Sequence, residues 1–175
     1  MEDRVAFGGG YYLMCLGLLL AARGMDFLST WIATPNLVLE ANPIAKKLGW
    51  KLGALINVAL CVTFAMWPLP AIVISTTSIL VAARNFQSAW LMRTMGEEHY
   101  RSFMAKQMSY TPFPLYLLCL GFQTGLYLVV GLALVFFGDP QLVPFAIGMG
   151  MVAYAIAVAF YSLLASRRHR HPPAS

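Results

Sequence analysis

Charge is what this sequence has least of. Of its 175 residues, 11% are Asp, Glu, Lys or Arg and 59% are hydrophobic, with a mean hydropathy of +0.69. A soluble domain carries roughly a quarter charged residues and needs them to cover its surface in water. Their scarcity excludes a water-soluble globular domain, so lipid must cover the surface instead. Cysteine is sparse as well. Cys15, Cys61 and Cys119 are odd in number and each lies inside an apolar run. That excludes a disulfide framework and leaves small apolar packing residues. A basic leader is missing: the chain starts Met1-Glu2-Asp3-Arg4, and no small-x-small cleavage site follows the first apolar run. The first helix is therefore expected to stay in the mature protein. No P-loop, nucleotide-binding glycine fingerprint, nucleophile elbow or H-E-x-x-H spacing occurs, so neither a cofactor nor a metal is expected.

What is present is a series of long apolar stretches. At about 20 residues per crossing, the chain has room for five or six helices and no separate soluble domain. The pattern predicts an all-α polytopic membrane bundle, a single domain over 1–175, with spans near 11–33, 43–67, 71–92, 113–137 and 142–165. Pro43 suits the first position of the second helix and Asn42 its cap. Trp67-Pro68-Leu69-Pro70 and Gly138-Asp139-Pro140 read as tight turns, which would make two close hairpins. Gly148 and Gly150 would permit close helix approach.

Basic residues fall in alternate connections. Lys46, Lys47 and Lys51 follow the first span; Arg93, Arg101 and Lys106 follow the third; Arg167, Arg168 and Arg170 follow the fifth. The positive-inside bias then puts the N-terminus outside and the C-terminus in the cytoplasm of a cell whose inner (plasma) membrane holds the protein. The net charge of +5 is topogenic and forms no basic-aromatic patch, so nucleic acid is not an expected partner, whereas membrane lipids are. The connection 93–111 repeats Tyr100, Phe103, Met104 and Met108 at helical spacing. It reads either as a helix on the membrane face or as an extension of the third helix into water. Within it, Glu97, Glu98 and His99 are consecutive, so they cannot converge on one point and read as a solvated face. The basic residues from 166 to 175 read as a disordered tail, in which His169 and His171 claim no more than contact with anionic head groups.

Ionisable residues inside a span normally face the bundle interior and find partners. Arg23, Asp26 and Thr30 share one face of the first helix. Thr77, Arg84, Gln87 and Ser88 form a polar stripe on the third, with Asn85 beside it, and Asn57 lies on the second. By helical rise Asp26, Asn57 and Arg84 each lie about 10 Å inside the cytoplasmic ends of their helices. The expectation is one polar layer with Asp26 paired to Arg84 or Arg23. Glu40 either joins that layer, if the segment after the first helix folds back, or stays solvated near Lys46 and Lys47.

The motif Asp26-x-x-x-Thr30 followed by Glu40-x-Asn42-Pro43 resembles one found between the first two helices of a family of small bacterial and archaeal multi-pass membrane proteins of unknown function. The match covers about Arg23 to Gly49; the chain departs in having more helices than the smallest members. The resemblance implies a site that includes Asp26, Thr30, Glu40 and Asn42, and no reaction. The candidate binding residues are thus Arg23, Asp26, Thr30, Glu40, Asn42, Asn57, Arg84, Asn85 and Gln87. The expected role is binding or transport of a small polar solute or lipid head group, with a homo-oligomer or membrane-complex partner. The alternatives are a membrane-embedded enzyme acting on a lipid or isoprenoid, and a structural subunit.

Overall fold

Glycine or proline punctuates the apolar runs, and the helices follow that punctuation. The computed structural model describes residues 4–40, 42–138 and 142–170, with residues 167–170 as helical backbone only. In order the helices are α1 (Gly10–Ala33), α2 (Pro43–Phe64), α3 (Pro68–Met95), α4 (Glu97–Tyr110), α5 (Phe113–Phe137) and α6 (Leu142–Arg170). No strand occurs among the described residues. All the helices except α4 are long and apolar enough to cross a membrane. The chain is an all-α, multi-pass membrane protein.

The strongest packing joins α1 to α3, α5 to α6 and α3 to α6. In lipid, where apolar contact alone drives little, helices gain by close backbone approach, and small side chains allow it. Ala71, Ser75, Ser78, Ala82 and Ala89 are buried along α3, while Tyr12, Cys15, Leu19 and Ala22 are buried along α1. Residues of both helices join with Cys61 and Ala65 in one apolar cluster. At the α5–α6 crossing, a Cβ on Gly148 would lie 2.6 Å from the Gly131 carbonyl oxygen, and one on Gly131 2.8 Å from that of Gly148. A Cβ on Gly150 would meet Thr76 of α3 at 2.6 Å. Of the cysteines, Cys15 and Cys61 are buried as packing residues and Cys119 is exposed.

Four expectations need correction. The turn after α2 is shorter than the sequence suggests, because Pro68–Pro70 already form the first turn of α3, where a missing N–H breaks no helical bond. Despite that proximity α2 and α3 touch little; the small-residue face of α3 belongs to α1, so the second and third spans are no close hairpin. Only 6% of the apolar window of α2 is buried within the chain, against 33% for α6. Gly96, at φ +80°, ends α3 and separates α4 from it, which removes the plain extension of the third helix. The Tyr100, Met104 and Met108 stripe is half-buried, while Phe103 is exposed. Finally, α6 continues as helix through Arg170 in place of a disordered tail from residue 166; residues 171–175, with His171, lie outside the described residues.

Inside α2, Gly49 takes φ +65° and ψ −175°, a left-handed extended conformation that a side chain would strain, and the helix kinks there. Asn42 caps the start as expected, its Oδ1 accepting from Ile44 N at 3.0 Å.

Candidate functional site

Arg23 faces inward from α1 and ties three helices together. Its Nη1 donates to Asp26 Oδ2 at 2.8 Å and to Ser78 Oγ of α3 at 3.2 Å. Its Nε donates to Asn57 Oδ1 of α2 at 2.8 Å, and Nη2 bonds the same oxygen. The Asn57 amide in turn donates to Gly53 O at 2.8 Å, which fixes its orientation. Of the two expected partners of Asp26, the structure selects Arg23, three residues away on the same helix.

One turn further along α1, the hydroxyls of Ser29 and Thr30 donate to Asp26 O at 2.8 and 2.9 Å. Asn85 of α3 reaches across with its amide to Thr30 Oγ1 at 3.3 Å and Ser29 Oγ at 3.4 Å. Glu40 is half-buried, and its Oε1 accepts from Asn42 N at 2.7 Å. The segment after α1 turns at Leu37, which takes the left-handed region at φ +56°. Arg23, Asp26, Thr30, Asn57 and Asn85 are brought together; Glu40 and Asn42 bond each other in the loop before α2.

Arg84 and Gln87 are not part of this layer. The Arg84 Nη2 donates to Ser162 Oγ of α6 at 3.2 Å, and Thr77 on the same stripe donates to Gly150 O of α6 at 3.0 Å. That stripe of α3 faces α6, whereas Ser78 and Asn85, each one residue on, face α1. Gln87 is exposed on the outside of α3. The pairing of Asp26 with Arg84 does not form.

Sequence reading missed Glu97. Far from a solvated face, its carboxylate is buried and accepts from Thr34 Oγ1 at 2.5 Å, Asn36 N at 2.8 Å, Asn36 Nδ2 at 2.9 Å and Val38 N at 2.9 Å. Burial pushes this carboxyl up, but the bonds from Thr34, Asn36 and Val38 outweigh it and hold the pKa below its ordinary value. Trp50 Nε1 adds a bond to Pro35 O at 2.7 Å, and the Arg93 guanidinium lies over the Trp31 ring at 5.7 Å. Glu97 thus moors the α1–α2 loop that carries Glu40 and Asn42. Glu98 and His99 are exposed. The Gly96 break before Glu97, an acid opening a helix, was the available signal.

Among the described residues no group of three or more His, Cys, Asp or Glu side chains could hold a metal. Comparison with family models, with curated proteins and with solved structures finds no match for this chain.

Proposed function

We propose that this protein sits in the inner (plasma) membrane, N-terminus outside and C-terminus cytoplasmic, and binds or carries a small polar solute or lipid head group at the Arg23–Asp26–Asn57 layer. The observation that carries this reading is the pair of hydrogen bonds that Arg23 donates to Asn57 Oδ1: it is a polar tether on a helix that otherwise packs thinly. A ligand oxygen that took over those guanidinium donors would release α2 and open the layer from the side. The reading also draws on the resemblance of Asp26-x-x-x-Thr30 and Glu40-x-Asn42-Pro43 to the motif of small multi-pass proteins of bacteria and archaea. The orientation is supported by Lys46, Lys47, Lys51, Arg93, Arg101 and Lys106, which cluster in the connections after α1 and α3. Five spans are few for a carrier acting alone, and Gln123, a polar side chain exposed on α5, is consistent with self-association. The alternative of an enzyme would use Asp26 and Glu40 as carboxylates and Arg84 and Arg93 to bind a phosphate; Arg84 lies apart from Asp26, against Ser162 of α6.

Native mass spectrometry of the purified protein tests the proposal. A solute or lipid should be retained by the wild-type chain and lost from Asp26→Asn and Arg23→Gln, with helicity and elution volume unchanged. Identical adducts on all three proteins would sink the reading.

A further inference from the structure

Arg84 carries a charge for which the described residues supply no counter-ion. Their carboxylates are engaged elsewhere: Asp26 by Arg23, Glu40 by Asn42, Glu97 by the α1–α2 loop, and Glu98 by Arg101 at 3.9 Å. Yet Arg84 is half-buried on a membrane-spanning helix, a setting in which a guanidinium stays charged and normally finds an anion. Its bond to Ser162 Oγ, 3.2 Å long, goes to a neutral hydroxyl and uses one of five N–H donors. Tyr154, buried on α6, is the other neutral group beside it.

A small cavity lies under α4. Met104, Gln107 and Met108 of α4, with Thr111, Tyr116 and Ser166, line a cavity of about 140 Å³. The Tyr116 hydroxyl donates to Ser162 O at 3.1 Å, and it is the hydroxyl of that same Ser162 that accepts from Arg84. One residue of α6 therefore links the cavity wall to the unpaired charge. Methionine lining is flexible and polarizable, and suits an apolar chain of varied shape.

We propose that Arg84, with Ser162 and Tyr154, binds a phosphate oxyanion that reaches it through the cavity between α4 and α6. The chemistry is shared by a phospholipid head group and a soluble phosphate ester; the methionine-lined approach favours the lipid. This site stands on a different face of α3 from the Arg23 layer, about 100° around the helix, and shares no residue with it.

Thermal unfolding of the full chain in detergent reads the binding out. It is measured with added phosphatidylglycerol, with diacylglycerol of the same acyl chains, and with glycerol phosphate. Stabilisation by phosphatidylglycerol but not by diacylglycerol is expected, with affinity falling about tenfold or more in Arg84→Gln and staying unchanged in Gly17→Ala, where the added methyl meets nothing within 4 Å. Stabilisation by glycerol phosphate alone would keep the oxyanion site and make the soluble ester its ligand. Should Arg84→Gln fail to fold, Arg84→Lys gives the same comparison, since a point charge replaces the planar fork. Met104→Trp, which fills the cavity, should abolish the response to phosphatidylglycerol and to glycerol phosphate alike. Equal stabilisation by diacylglycerol and phosphatidylglycerol, or no loss in either Arg84 variant, overturns the proposal.

Discussion

Arg23 and Asn57 meet through two nitrogens and one oxygen, and this contact joins α2 to the rest of the bundle. The neighbouring ion pair to Asp26 involves half-buried side chains, so much of the coupling rests on geometry and not on unscreened charge. Asn57→Leu keeps the volume and removes the acceptor. It should cost about 1 kcal/mol of stability and lengthen the distance between spin labels on α1 and α2. An unchanged distance distribution would show that the packing of Cys61 and Ala65 and the Tyr12 bond to Val62 O hold α2 in place without it.

Glu97 makes the loop after α1 sensitive to acid. Its pKa is lowered on folding from an ordinary value of 4.5, so the folded state holds the proton less tightly than the unfolded chain. The stabilisation is complete above about pH 4.5 and disappears as pH falls through the depressed folded value. Protease cleavage within residues 35–39 should therefore be slow at neutral pH and rise in strong acid. Glu97→Gln should bring fast cleavage at neutral pH, at a cost of about 2 kcal/mol from buried donors left unpaired. Cleavage of that variant at the wild-type rate would contradict the mooring.

The glycines separate into crowded and open positions. Gly148→Ala would set a methyl against the Gly131 carbonyl, forcing α5 and α6 apart at a cost of about 2 kcal/mol. Gly17→Ala meets nothing within 4 Å and should be neutral or mildly stabilising. Detergent-unfolding midpoints that move alike in the two variants would refute the close crossing.

Ser75 is buried on α3 with its hydroxyl unpartnered among the described residues. Ser75→Ala removes an unsatisfied polar atom while keeping the small profile that α1 needs. Stability should rise by up to about 1 kcal/mol; a loss of that size would reveal a partner for the hydroxyl.

The existence and type of each spanning helix were legible in the sequence, with ends displaced by up to five residues, because lipid imposes one long apolar run per crossing. The cap at Asn42 and the break at Pro43 were equally local, and equally legible. What a single helix cannot disclose is which neighbour its polar face meets. Arg84 and Asn85 are adjacent in sequence, yet one turns to α6 and the other to α1; only the packing of α3 between the two separates them. Glu97 was misread for the same reason. Its partners, Thr34, Asn36 and Val38, come from a distant loop, and nothing in Glu97-Glu98-His99 announces that one carboxylate of the two is buried.

The kink at Gly49 shortens the oily rod that follows it. Trp50–Phe64 spans roughly 22 Å at helical rise, against a hydrocarbon layer of roughly 30 Å. A bilayer meeting so short a rod thins beside it or lets head groups sag along its flank. Water and head groups drawn along α2 by such thinning would approach Asp26 laterally, from the bilayer side.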